Sequence, residues 1–222
     1  MASPAPWRSL FHERPQSFEE YVRDCGKRRR PQGSVLVLQP LGDVDPSILD
    51  ALRSYGAAFF GIEARVADPI PLPDSALVHP PGRHNSGMIL DALADRLERD
   101  ALMTVAVAGV DLFARGKNYV FGESSVERRV GVCSLARMTT PDRTLFLRRS
   151  LRLMTHEAAH LLSIAHCLDR DCMMQGANTV EESDGHPMES CGEDRRKLAW
   201  STGVDLARRE RDLLGWREIL GR

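Results

Sequence analysis

The sequence predicts an α/β (α+β) fold, a mixed twisted sheet carrying helices, and three observations predict it. Residues 35–67 read as strand, helix and strand. Residues 103–137 hold several β-rich segments divided by turn formers. A long helix from about Asp142 is followed by an irregular stretch and one or two closing helices.

Each element has its own justification. VLVLQP (35–40) is a short continuous apolar run, the pattern of a strand buried on both faces. Residues 46–60 carry apolar positions at helical spacing behind Asp45, a capping residue, with Pro46 at the first helical position. IEARVA (62–67) alternates as a strand does. After a Pro-rich loop (68–82), Ser86 is placed to cap a helix over 87–99, in which Ile89, Leu90, Leu93 and Leu97 recur on one face. MTVAVAGVDLF (103–113), NYVFG (118–122) and VGVCSLAR (130–137) are β-rich. RRKLAW and VDLARRERDLLGWREIL close the chain as helices.

Composition narrows the function classes. With 42% hydrophobic residues among 222, the chain can bury a full core, and its length favours one domain at residues 33–222 behind an N-terminal extension at 1–32. That extension is rich in Pro and Arg, ends in the basic run Lys27 to Arg30, and is expected to be solvated. A net charge of −1 gives no field that would gather nucleic acid or an anionic membrane. No apolar run reads as a signal peptide or a membrane span, so the expectation is a soluble, cytoplasmic, monomeric protein. Five cysteines, an odd number without an export signal, point to thiols or thiolate ligands and away from a disulfide framework.

The chemistry concentrates in THEAAHLLSIAHC (155–167). His156 and His160 stand one helical turn apart, so both imidazoles face one metal ion, and Glu157 lies beside them as a general base for a zinc-bound water. His166, six residues after His160, is spaced to return as a third ligand if the helix stops and turns between them. The turn wants a residue with positive φ, usually Gly, and Ser163 stands there. His12, His79 and His84 lack partner spacing and read as structural or surface residues, and Cys133, inside a strand, reads as a buried inert thiol.

Cys167, Cys172 and Met174 follow as H-C-x-x-x-x-C-x-M, with Cys191 further on. With these residues the chain resembles the archaemetzincins, a metzincin family of zinc-dependent peptidases. GVDLF, NYVFGES, VCSLAR and RHNSGMILDAL (83–93) extend the likeness over residues 34–200. The resemblance implies a metzincin-like zincin fold, with residues 33–162 as a subdomain ending in the active-site helix and 163–222 as a smaller helical one. It implies that His156, His160 and His166 bind a catalytic zinc, that Glu157 is the general base and then acid, and that Met174, rather than Met173, is the Met-turn residue beneath the imidazoles. Cys167, Cys172 and Cys191 would hold a second, structural zinc. Where the family has a fourth cysteine this chain has Asp194, leaving Asp194, His186 or a weakened site as the open alternatives.

The expected activity is hydrolysis of a peptide or protein substrate with two Zn2+ per chain. The substrate would be added as a strand along an edge formed by NYVFG or VGVCSLAR, with Tyr119 nearby in a packing role. The alternative of another class is a zinc-stabilised binding module of the same fold with little turnover.

Overall fold

The computed structural model describes residues 6–26, 33–78 and 82–220; the basic run Lys27 to Arg30 and His79 lie outside them. Two N-terminal helices, α1 (Trp7–Leu10) and α2 (Phe18–Gly26), precede strand β1 (Val35–Leu41), helix α3 (Pro46–Phe60) and strand β2 (Glu63–Val66). Then come β3 (Leu77–Val78), β4 (Arg83–Asn85), α4 (Ser86–Ala94), β5 (Ala101–Ala108), β6 (Asp111–Phe113), β7 (Gly122–Ser125) and β8 (Val130–Ser134). The remainder is helical: α5 (Arg143–Leu161), α6 (Val180–Asp184), α7 (Gly192–Thr202) and α8 (Leu206–Leu220).

The main sheet runs β2-β1-β5-β8-β7, parallel except for β7, and β3-β4-β6 form a small second sheet. Strands β1 and β5 are buried along their whole length, which is why they read as unbroken apolar runs. One sheet face presents Leu36, Leu38, Met103, Val105 and Val107 to the core shared with α3, α5 and α8. The other presents Ala106, Ala108, Val130 and Val132 to Ile89, Leu90 and Leu93 of α4.

Local capping follows simple chemistry. Asp45 accepts from the Ser47 amide at the start of α3, and Gly61 ends that helix at φ +65°. Asp142 accepts from the amides of Thr144 and Leu145 and so fixes where α5 begins. Helix α5 is buried from Ser150 to Ala159 because the sheet covers one side and the C-terminal segment the other.

Four expectations are corrected. The 103–113 run is two strands in different sheets, broken at Gly109, since β5 pairs with β1 and β8 while β6 pairs with β4. Helix α4 is capped by the Asn85 side chain rather than by Ser86 and stops at Ala94. VGVCSLAR does not supply an edge, because β8 is paired on both sides; the edge beside α5 is β7, to which NYVFG contributes only Gly122. Residues 6–26 are not a solvated extension: Tyr21 is fully buried, its hydroxyl donating to the Leu162 carbonyl at 2.6 Å, and Trp7 is buried as well.

Candidate metal centre and active cleft

Helix α5 delivers the first two histidines and the glutamate, and the turn after it delivers the third. The Ser163 amide donates to the His160 carbonyl at 2.8 Å and the Ile164 amide to the Ala159 carbonyl at 3.2 Å, the paired bonds of a helix stop with a left-handed residue. Ser163 holds that position at φ +67°, so the turn expected of Gly forms with Ser, at a cost of about 1 kcal/mol.

The three imidazoles converge. His160 Nε2 is 3.1 Å from His156 Nε2 and 3.3 Å from His166 Nε2. Each ring spends its other nitrogen outside the cluster: His156 Nδ1 donates to the Met173 carbonyl at 3.2 Å, His160 Nδ1 to the Ile164 carbonyl at 2.8 Å, and His166 Nδ1 to the Glu13 carboxylate at 2.9 Å. The Nε2 lone pairs are therefore free to point at a common ion. Burial, and then the neighbouring histidines, hold His156 well below its ordinary pKa and bring His160 down to about 3. Such rings are neutral, the form that binds metal. The arrangement fits zinc, which takes three imidazoles and leaves a fourth position open in catalytic sites.

Glu157 lies under β7. Its Oε2 accepts from Ser124 Oγ at 2.7 Å, and the same hydroxyl reaches the Glu157 carbonyl at 3.0 Å. Burial pushes the carboxyl up to about 7, with Glu123 adding to the shift and the Ser124 bond opposing it. A Cβ at Gly122 would stand 2.5 Å from Glu157 Oε1, so the strand can pass this close only with glycine there.

A cleft of about 840 Å³ opens above these groups, walled by Trp7, Phe11, Tyr119 and Phe121 with Lys117 at its side. Tyr119 packs against the Arg137 guanidinium, 3.9 Å from its ring centroid, and its hydroxyl donates to the Asn178 carbonyl at 2.5 Å. Met173 and Met174 are fully buried, and the Met173 carbonyl is the partner of His156 Nδ1. Arg152 of α5 is buried too, and one of its nitrogens donates to the Met173 carbonyl at 3.1 Å and the Gln175 carbonyl at 3.0 Å, tying this segment to the helix.

A second nest lies beyond. Donor atoms of Cys167, Cys172, Cys191 and Asp194 lie within 4.8 Å of one another. Asp194 Oδ2 is 3.1 Å from Cys172 Sγ, while Oδ1 accepts from Lys197 Nζ at 2.8 Å in an ion pair whose side chains are both 3% exposed. Asp194 lies in the first turn of α7, where the positive end of the helix dipole favours an anion, and its side chain is directed at Cys172 and Lys197. Burial pushes its carboxyl up, against the pull of Lys197. His186 lies elsewhere: its Nδ1 faces Arg152 at 3.0 Å. Three sulfurs and a carboxylate oxygen are an acceptable, if less common, donor set for structural zinc.

Sequence reasoning missed Glu13, Ser124, Gly122, Arg152 and Lys197. Lys197 alone carried a local signal, since it stands three positions after Asp194 on one helix face.

Three imidazole donors around one point, with a buried carboxylate alongside and a cleft above, form a candidate metal centre with the donor set that catalytic zinc sites use. The model for peptidase family M54 matches residues 86–199, about half of the chain. Archaemetzincin-2 from Mus musculus is 28% identical over 260 aligned positions, covering 96% of this chain and 72% of its own length. Archaemetzincin from Archaeoglobus fulgidus, solved in complex with malonate, superposes with a TM-score of 0.66 at 29% identity over 73% of this chain and 99% of that one. Archaemetzincin from Methanopyrus kandleri does so with a TM-score of 0.69 at 27% identity over 80% and 99%. The chain belongs to peptidase family M54, the archaemetzincin family of zinc metallopeptidases.

Proposed function

We propose that this protein hydrolyses peptide bonds, with His156, His160 and His166 holding a catalytic zinc and Cys167, Cys172, Cys191 and Asp194 holding a structural one. The convergence of three Nε2 atoms beside the buried Glu157 carries this reading. Zinc bound there would supply Lewis acidity and lower the pKa of a coordinated water towards about 7. Glu157, held in the same range by burial, takes a proton from water and returns it to the leaving amine. Ser124 anchors Oε2, so strand β7 sets where the carboxylate sits. Met174 would serve as the apolar floor under the imidazoles, its buried position supporting the role. A substrate strand would add along β7, whose outer side has no strand neighbour among the described residues. Membership of a peptidase family supports a peptide or protein substrate, a net charge of −1 supplies no field to gather nucleic acid or an anionic membrane, and we read the enzyme as a cytoplasmic monomer.

A peptide library incubated with and without chelator tests the proposal. Chelator-sensitive cleavage is expected; full zinc occupancy with no cleavage would mark a binding module instead.

A further inference from the structure

We propose that the N-terminal segment completes the three-histidine site, with Glu13 as a positioning residue that fixes His166 for the metal. The inference rests on reading these histidines as zinc ligands.

The three ligands are not held alike. His156 and His160 stand on α5 and give their Nδ1 hydrogens to backbone carbonyls, of Met173 and Ile164. His166 stands beyond the helix, in a stretch without regular secondary structure, and its Nδ1 is held by the Glu13 carboxylate from 153 positions away. A carboxylate is the stronger acceptor, and it sets the tautomer and orientation of the ring it holds. The least constrained ligand thus receives the most strongly charged partner.

The segment is anchored on both sides of Glu13, at Trp7 and at Gln16. The Trp7 ring lies 4.5 Å from the His166 ring, centroid to centroid. It is seated over Gly176, where a Cβ would fall 2.4 Å from the indole, and its amide donates to Glu182 at 2.7 Å. Gln16 binds the turn that delivers His166: its amide nitrogen donates to the Ser163 carbonyl and its oxygen accepts from the Ala165 amide, each at 3.1 Å. The Gln16 carbonyl in turn accepts from Lys197 at 2.7 Å. The segment therefore straps the third histidine down between the two candidate metal nests. Residues 7–16 lie outside the span that the family model matches.

Metal affinity of the full chain, measured with cobalt(II) against a chromophoric chelator, tests this. Thiolate charge-transfer absorption reports the cysteine cluster separately from the ligand-field bands of the histidine site. E13A should weaken binding at the histidine site by about tenfold to hundredfold, and E13Q, which keeps an oxygen acceptor without the charge, should fall between E13A and wild type. The cysteine site and the melting temperature of the metal-free protein should not move. Unchanged affinity at the histidines in E13A overturns the proposal, as does a loss shared equally by both sites together with a lower melting temperature. A wild-type protein that takes no metal at the histidines overturns the zinc-ligand reading and this inference with it.

Discussion

Replacing Gly122 with alanine probes how closely the proposed general base is held. The added Cβ would lie 2.5 Å from Glu157 Oε1 and 2.6 Å from its Cδ and Cγ, where ordinary contacts begin at 3.4 Å. Strand β7 cannot simply move away, because Gly122 pairs with Cys133 of β8. The carboxylate must give instead, and it is 6% exposed and anchored by Ser124. A displacement of roughly 1 Å at a reacting group lowers turnover by about a hundredfold, or about 2.7 kcal/mol of transition-state stabilisation. Overpacking should cost about 1–3 kcal/mol of stability as well. The assay is kcat on a cleaved library peptide, with zinc content and melting temperature measured on the same sample. The control is G215A, at an exposed position of α8 where a Cβ meets nothing within 4 Å; it should keep full activity and gain up to about 1 kcal/mol. A G122A protein with full zinc and wild-type kcat would refute the argument that β7 sets the position of Glu157.

Two further outcomes are expected. D194A should lower zinc from two ions per chain towards one while leaving the histidine site loaded. It should also cost about 3–5 kcal/mol, because Lys197 would be left buried without its counter-ion; two ions retained would place the fourth ligand elsewhere. In the metal-free protein Glu157 binds its proton more tightly folded than unfolded, its pKa raised from 4.5 to about 7. Its contribution is therefore present below about pH 4.5 and lost as pH rises through about 7. Denaturant unfolding should show wild type losing on the order of 3 kcal/mol relative to E157Q across that window. Parallel curves for the two proteins would contradict the burial argument.

What could be read in advance was what local chemistry determines. Asp45 caps its helix because a carboxylate two residues before a free amide needs no tertiary partner. His156 and His160 share a face because helical geometry places them there, and Ser163 adopts positive φ in the turn that brings His166 back beside them. What stayed hidden depends on distant packing. The sequence GESS of β7 has no β-branched or alternating pattern, and its pairing with β8 makes it a strand. Trp7 and Tyr21 sit in a Pro- and Arg-rich stretch whose composition resembles a solvated tail, yet surfaces formed by the turn after α5 and by α7 bury them. No spacing rule connects Glu13 with His166. Asp194 stood in the register of a ligand, and its ion pair with Lys197 shows how a carboxylate is kept buried beside three sulfurs.

In the proposed mechanism Glu157 moves the proton while the histidines hold the metal. Zinc content and peptide hydrolysis measured together on E157Q test it most directly, since the amide keeps the shape and a Ser124 contact but cannot accept the proton. Zinc content equal to wild type with hydrolysis reduced to background is the expected outcome. Cleavage by zinc-loaded E157Q at the wild-type rate would contradict it.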